Sequence, residues 1–365
     1  MERLIRHHLI ELAPYRAVEP LEVLAERYGI PVERVIKLDA NENPYGCSPR
    51  VQRALAKLNY YHIYPDPLHR ELREMLAEYT GIGREYIAVS NGSDELIDLI
   101  LHISLEPGDK VINLPPTFGP YSIRTKIHKG KVVNIPRKSN FEVDIEAVKS
   151  AVDERTKVIF LANPNNPTGN ATSEEEILEL VNTGLLVVVD EAYYEFSGLT
   201  VASLVPSFPN LIVLRSFSKW AGLAGLRIGY GILSPRINEI IYKSKNTYNV
   251  SVAAQVAAKE SLADLNYLKG KIQAIISERE RLFQKLKEQG ILNPLPSQAN
   301  FILCRVFNGQ AARLKQDLEK KGIFVRYFDT PPLKDMLRIT VGKPEHTDAL
   351  IDALNELFPK AKANK

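Results

Sequence analysis

Cysteine is scarce in the 365 residues. Cys47 and Cys304 are the only two, they lie far apart, and neither has metal-ligand spacing to the seven histidines. No metal centre is expected, and a buried thiol is the expectation for each. Long apolar runs are missing too. No stretch of about 18 apolar residues is available to span a bilayer. The start, Met1-Glu2-Arg3-Leu4-Ile5-Arg6-His7-His8, lacks the continuous apolar core of a signal peptide, so the expectation is a cytoplasmic protein with no membrane partner. An excess of one charge is absent as well: 47 Lys and Arg against 44 Asp and Glu leave +3, spread along the chain. That argues against nucleic acid as the main partner. There is no internal repeat or low-complexity run, and only the tail 360–365 reads as frayed.

What is present is the composition of a globular protein, 45% hydrophobic and 25% charged, at a length that suits a large domain plus a smaller one. Short apolar runs rich in β-branched residues, at 86–89, 110–114, 158–162, 185–189 and 211–214, have strand length, with a further strand at 227–233. Helical patterns such as 94–104 and 173–181 lie between them. This alternation predicts an α/β fold: a mostly parallel sheet flanked by helices. After about residue 246 the pattern changes. A long amphipathic helical region to about 288 precedes strands at 299–306, 324–328 and 337–341, with helices at 310–320 and 345–357. We read a large domain over 30–245, and a smaller α+β domain formed by 246–365 together with the N-terminal segment 1–29.

In open α/β sheets ligands bind beyond the carboxyl ends of the strands, and the unusual polar groups fall at those ends. The first strand leads into Asn91-Gly92-Ser93-Asp94-Glu95 and a helix. There Gly92 permits close backbone approach, and the amides of Ser93 and Asp94 can hold a phosphate; the same string also suits a plain helix cap. The second leads into Pro115-Pro116-Thr117-Phe118-Gly119-Pro120-Tyr121, where Phe118 can stack on a flat ring or pack in the core. The third leads into Asn163-Pro164-Asn165-Asn166-Pro167-Thr168-Gly169, a stiff path that can aim Asn166. The fourth ends on Asp190-Glu191-Ala192-Tyr193. A carboxylate closing a run of apolar residues needs a positive partner if buried, and a protonated pyridine nitrogen is one. The fifth leads into Ser216-Phe217-Ser218-Lys219, with Gly222, Gly225 and Arg227 following. A lysine in a dry site loses its proton and attacks carbonyls. Taken singly, each group has an ordinary reading. One phosphorylated, aldehyde-bearing pyridine uses them all.

These strings resemble the fold-type-I, pyridoxal-phosphate-dependent aminotransferases, and the similarity extends over nearly the whole chain. Within that family it is to the histidinol-phosphate aminotransferases. The motifs carrying it are Leu12-Ala13-Pro14-Tyr15, Asn41-Glu42-Asn43-Pro44, Tyr64-Pro65-Asp66, Gly92-Ser93-Asp94-Glu95, Arg326-Tyr327-Phe328 and Leu337-Arg338-Ile339-Thr340. The resemblance implies Lys219 as the lysine holding pyridoxal phosphate as a Schiff base, and Asp190 as partner of the ring nitrogen. It implies Tyr193 and Asn166 at the ring's 3-oxygen and Phe118 on the ring face, where a tyrosine is common. Ser93, Asp94, Ser216 and Arg227 would surround the phosphate, with Tyr64 reaching in from the second subunit of a homodimer. Arg338 would bind the carboxylate of glutamate and, with Arg326, Tyr15 and Asn41, the phosphate of histidinol phosphate. Both arginines lie in short apolar strands, where a guanidinium needs an anion.

The implied reaction is a ping-pong transamination of histidinol phosphate with 2-oxoglutarate, in histidine biosynthesis, giving imidazole-acetol phosphate and glutamate. Three alternatives share most of these residues: an aromatic-amino-acid aminotransferase, a threonine-phosphate decarboxylase, and a non-catalytic cofactor-sensing module of a DNA-binding regulator. The last carries an added helix-turn-helix segment and is not the expectation, because the fold-back region begins almost at Met1.

Overall fold

The computed structural model describes residues 2–13 and 17–359. Twelve strands among these residues form two sheets. The larger holds seven: β2 (Ile87–Ser90), β3 (Lys110–Asn113), β4 (Lys131–Asn134), β5 (Thr156–Ala162), β6 (Leu186–Asp190), β7 (Leu211–Ser216) and β8 (Gly229–Ile232), in the order β2-β8-β7-β6-β5-β3-β4. All neighbours pair in parallel except β8, which runs against both β2 and β7. The β-branched runs explain the layering. Successive side chains point to opposite faces, so Val187 and Val189 join one apolar core while Val188 joins another. Leu96, Ile97 and Tyr121 close the second core from the helices Ser93–Ser104 and Pro120–Ile127, and Leu72 and Ile177 help close the first. The fold is thus the expected α/β architecture.

The smaller sheet orders β1 (Ile36–Leu38), β11 (Ile323–Tyr327), β12 (Met336–Thr340), β10 (Phe301–Val306) and β9 (Leu292–Pro294). Here the expected boundaries need correction. β1 falls inside the 30–245 span yet pairs in parallel with β11, Leu38 against Val325. The helical region from 246 to 288 is two helices, Val252–Leu262 and Leu265–Gln289, broken at Ala263 and Asp264. The first packs on helices Pro49–Lys57 and Arg70–Thr80, beside the large sheet rather than the small one. Its Ala254, Ala257 and Ala258 are small enough to bring the helices close. The N-terminal segment divides as well. Helix Leu21–Tyr28 meets the smaller sheet, through Tyr28 edge-on to Phe324, whereas His7–Ile10 lies against helix Pro120–Ile127, with His8 Nε2 3.2 Å from the Ile127 carbonyl. Cys304 is buried, but Cys47 is only half-buried. Among the described residues no helix is long and apolar enough to cross a membrane, and no cluster of three His, Cys, Asp or Glu suits a metal.

One buried ion pair ties β6 to β7 directly under their carboxyl ends. Arg215 Nη2 lies 2.7 Å from Glu191 Oε2, and both side chains are almost wholly buried. Thr200 Oγ1 and the Val201 amide also donate to Glu191, at 2.8 Å each, and the Arg215 guanidinium lies over the Tyr194 ring. Removing one member strands the other's charge in the core. Glu191→Ala is therefore expected to destabilise the fold by about 3–5 kcal/mol in urea unfolding. A loss below about 1 kcal/mol, the level of an exposed pair, would contradict this account.

Candidate active site

Strand register brings the polar residues to one edge. Ala162 pairs with Asp190, and Asp190 with Leu214, so β5, β6 and β7 finish side by side. Gly229, which begins β8, pairs with both Ser90 and Ser216, the last residues of β2 and β7. The chain entering β8 therefore crosses the edge where its neighbours leave, and Arg227 arrives with it. A cavity of about 790 Å³ opens there. Its lining includes Ser93, Asp94, Phe118, Asn166, Asp190, Tyr193, Ser216, Lys219 and Arg227 from the large sheet, and Asn41, Arg326 and Arg338 from the other side.

Burial moves the titration of Lys219 and of Asp190, which both line it. Burial pushes the Lys219 amine down to about 8, and the nearby Arg338 charge pushes the same way. Its Nζ donates to the Ala40 carbonyl at 3.2 Å. Burial pushes the Asp190 carboxyl up to about 6, against hydrogen bonds from the Tyr121 hydroxyl at 2.7 Å and the Ala192 amide at 3.1 Å. Tyr193 Oη accepts from Asn41 Nδ2 at 2.9 Å. Asn41 is itself fixed: its amide donates to Thr340 Oγ1 at 3.0 Å, its carbonyl accepts from Asn300, and its φ is +55°.

Each end of the cavity suits an anion. At one, Gly92 caps helix Ser93–Ser104, presenting free backbone amides. Arg227 leans over that turn, donating to Asp94 Oδ2 at 3.0 Å. A Cβ on Gly92 would stand 2.7 Å from the guanidinium, and one on Gly229 2.7 Å from the Ser93 nitrogen. At Gly229 the atoms met are main chain, and at Gly92 the φ of +73° favours glycine whatever the arginine does. At the other end, Arg326 and Arg338 are direct cross-strand partners on β11 and β12. Directly opposed residues share a face, and like charges there repel, an arrangement that an anion between them would relieve. Arg338 also donates to Asn166 Oδ1 at 2.6 Å and to the Asp39 carbonyl at 2.5 Å, joining the two sheets.

Asn166 is held by its neighbours. Asn163 pins the start of the loop through Thr172, and Asn165 bonds the Pro116 carbonyl, Thr168 and Thr117. Tyr64 is different: it is 76% exposed, stacked on Tyr248, and outside the cavity of its own chain. Tyr15 lies outside the described residues. Sequence reasoning did not single out Tyr121, the donor to Asp190, although it stands three residues after Phe118 at the start of a helix, a spacing that shares a face. Nor did it single out Ser218, which lines the cavity and whose amide donates to Ser216 Oγ.

The family model described as aminotransferase class I and II matches residues 33–354. The chain is 46% identical over 357 residues to a histidinol-phosphate aminotransferase of Dehalococcoides mccartyi, covering 98% of each chain. It is 47% identical to that of Roseiflexus castenholzii, covering 97% of this chain and 98% of the relative. Among solved structures, the histidinol-phosphate aminotransferase of Sinorhizobium meliloti, in complex with pyridoxal-5'-phosphate, superposes with a TM-score of 0.88 at 30% identity, covering 96% of each chain.

Desolvation gives Lys219 a definite pH signature. In ligand-free protein, acylation of Lys219 followed by mass spectrometry is expected to rise with a midpoint near pH 8. Arg338→Gln removes a repelling charge, so the midpoint should move upward. A wild-type midpoint near about 10.4, where a solvated lysine titrates, would contradict the desolvation argument.

Proposed function

The chain belongs to the class I and II aminotransferases, and on that premise we propose that it transfers the amino group of histidinol phosphate to 2-oxoglutarate, using pyridoxal phosphate held on Lys219. The observation that carries this reading is the pairing of a desolvated amine with a buried acid, on adjacent strand ends of one cavity. The residues fit that cofactor. Asp190 is a buried carboxylate facing the cavity, with hydrogen-bond donors on both oxygens but, among the described residues, no cation hydrogen-bonded to it; a ring nitrogen bearing a proton would supply one. The helix start at Ser93 with Arg227 over it suits a phosphate.

When bound, pyridoxal phosphate supplies an aldehyde to take up the amine and a ring to spread the electron pair left when a carbon loses its proton. The protein supplies the rest. Lys219 Nζ, partly uncharged near neutral pH, would take the proton from the amine-bearing carbon of the substrate and return it as the lysine's conjugate acid. Asp190 would hold the proton on the ring nitrogen. Tyr193 Oη and Asn166 Nδ2 would donate to the ring's 3-oxygen, and Phe118 would cover one face. The amides of Ser93 and Asp94, with Ser216 and Arg227, would hold the phosphate.

Arg326 and Arg338 select the substrate. Histidinol phosphate and glutamate each bring an anionic group, phosphate or carboxylate, to the same guanidinium pair, so the two use the site in turn. Asn41 and Tyr15 complete that grip. The protein works as a cytoplasmic homodimer in which Tyr64 of one subunit completes the phosphate site of the other; the exposed Tyr60, Tyr61, Ile63 and Tyr64 support this.

Glutamate formation from histidinol phosphate, phenylalanine or tyrosine with 2-oxoglutarate tests the reading. Histidinol phosphate is expected to give the highest kcat/KM, and Lys219→Ala to abolish turnover. Arg338→Ala should cost about 3 kcal/mol, roughly 100-fold in kcat/KM. Turnover of phenylalanine alone would reject the substrate but keep the reaction class, and carbon dioxide release without glutamate would reject both.

A further inference from the structure

Asp190 is gripped from two directions. The Ala192 N–H that donates to Oδ1 is local, two residues along the chain. The donor to Oδ2 comes from another element: Tyr121 on helix Pro120–Ile127, 69 residues away in sequence. Tyr121 is wholly buried, with its ring stacked on Phe160 at 4.8 Å and edge-on to Phe118 at 5.4 Å. Packing on both sides fixes the ring, and the ring aims the hydroxyl. Burial, with Asp190 and Tyr193 nearby, keeps the phenol protonated, so it is the donor and the carboxylate the acceptor. This matters because burial, Asp94 and Glu191 all press Asp190 toward its neutral form. A neutral acid loses its charge attraction for a cationic ring nitrogen, and a rotated one loses the hydrogen-bond direction.

We propose that Tyr121 is the positioning residue for Asp190, its hydroxyl fixing the direction of the carboxylate and stabilising its charged form for the cofactor's ring nitrogen; this rests on the pyridoxal phosphate reading above. Two donors leave the carboxylate room, since its oxygens offer about four lone-pair sites. Tyr121 also packs against Phe118, so one helix start carries both the side chain over the ring and the anchor of the acid at its edge.

The test is Tyr121→Phe, which keeps the packing and deletes one donor. The probes are pyridoxal phosphate and its 1-deaza analogue, which has carbon in place of the ring nitrogen, each titrated by absorbance into ligand-stripped protein. Tyr121→Phe is expected to weaken pyridoxal phosphate about ten- to a hundredfold, the scale of a hydrogen bond to a charged group, and the deaza analogue hardly at all. Affinity for pyridoxal phosphate should also fall on acidification from a higher pH than in wild type, because Asp190 without its donor takes up a proton sooner. Equal weakening of both probes, or no weakening, overturns the proposal. Should Tyr121→Phe be too unstable to titrate, the change is made in an Asp190→Asn background. There, loss of the hydroxyl must leave pyridoxal phosphate affinity unchanged, and a further fall overturns the proposal. A wild-type protein that binds neither probe removes the cofactor reading itself.

Discussion

Backbone pairing between the central strands determines where every polar group of the site can lie. Parallel strands joined by crossovers all leave the sheet at one edge, and register sets how far each reaches. Because Ala162, Asp190 and Leu214 lie in one row, the residues that follow them share a single shelf. The antiparallel β8 then brings a chain onto the shelf from the opposite direction, with Arg227 two residues before its first pair. A one-residue slip in β6 would turn Asp190 to the other face. The buried Glu191–Arg215 pair is formed by the next residue along each of β6 and β7, and it joins the ends of the strands that carry Asp190 and lead to Lys219.

Electrostatics follows from that enclosure. The same desolvation lowers the lysine and raises the aspartate, so burial favours the neutral form of each. A cationic ring nitrogen beside Asp190 would favour the charged carboxylate, while an amine near 8 keeps a neutral fraction for nucleophilic and proton-transfer work. The opposed Arg326 and Arg338 make the far end of the cavity positive, whereas at the near end Arg227 is paired with Asp94 and the helix start supplies the positive field.

Much of this was legible in the sequence because strand ends are marked by abrupt changes from apolar to polar residues. Lys219, Asp190, Asn166 and Arg227 could be placed that way. The short strands could not: β1 and β9 have three residues each, too few for any period to show, and β4 is an edge strand with polar ends. The break at Ala263 and Asp264 carries neither proline nor glycine, so two helices read as one. Tyr121 was hidden for a different reason. Its role lies in a contact with a residue far along the chain, and a tyrosine on a helix looks the same in sequence whether it fills a core or aims a hydroxyl. The supporting asparagines, Asn163 and Asn165, were visible only as part of a turn-like string, since their work is to hold Asn166 rather than to face the cavity.

Gly229 carries one more implication. Because a Cβ there would stand 2.7 Å from the Ser93 nitrogen, the main chain of β8 backs directly onto the turn that opens helix Ser93–Ser104. The contact is main chain against main chain, with no flexible side chain to give way, so any larger residue at this position must part β8 from the helix start.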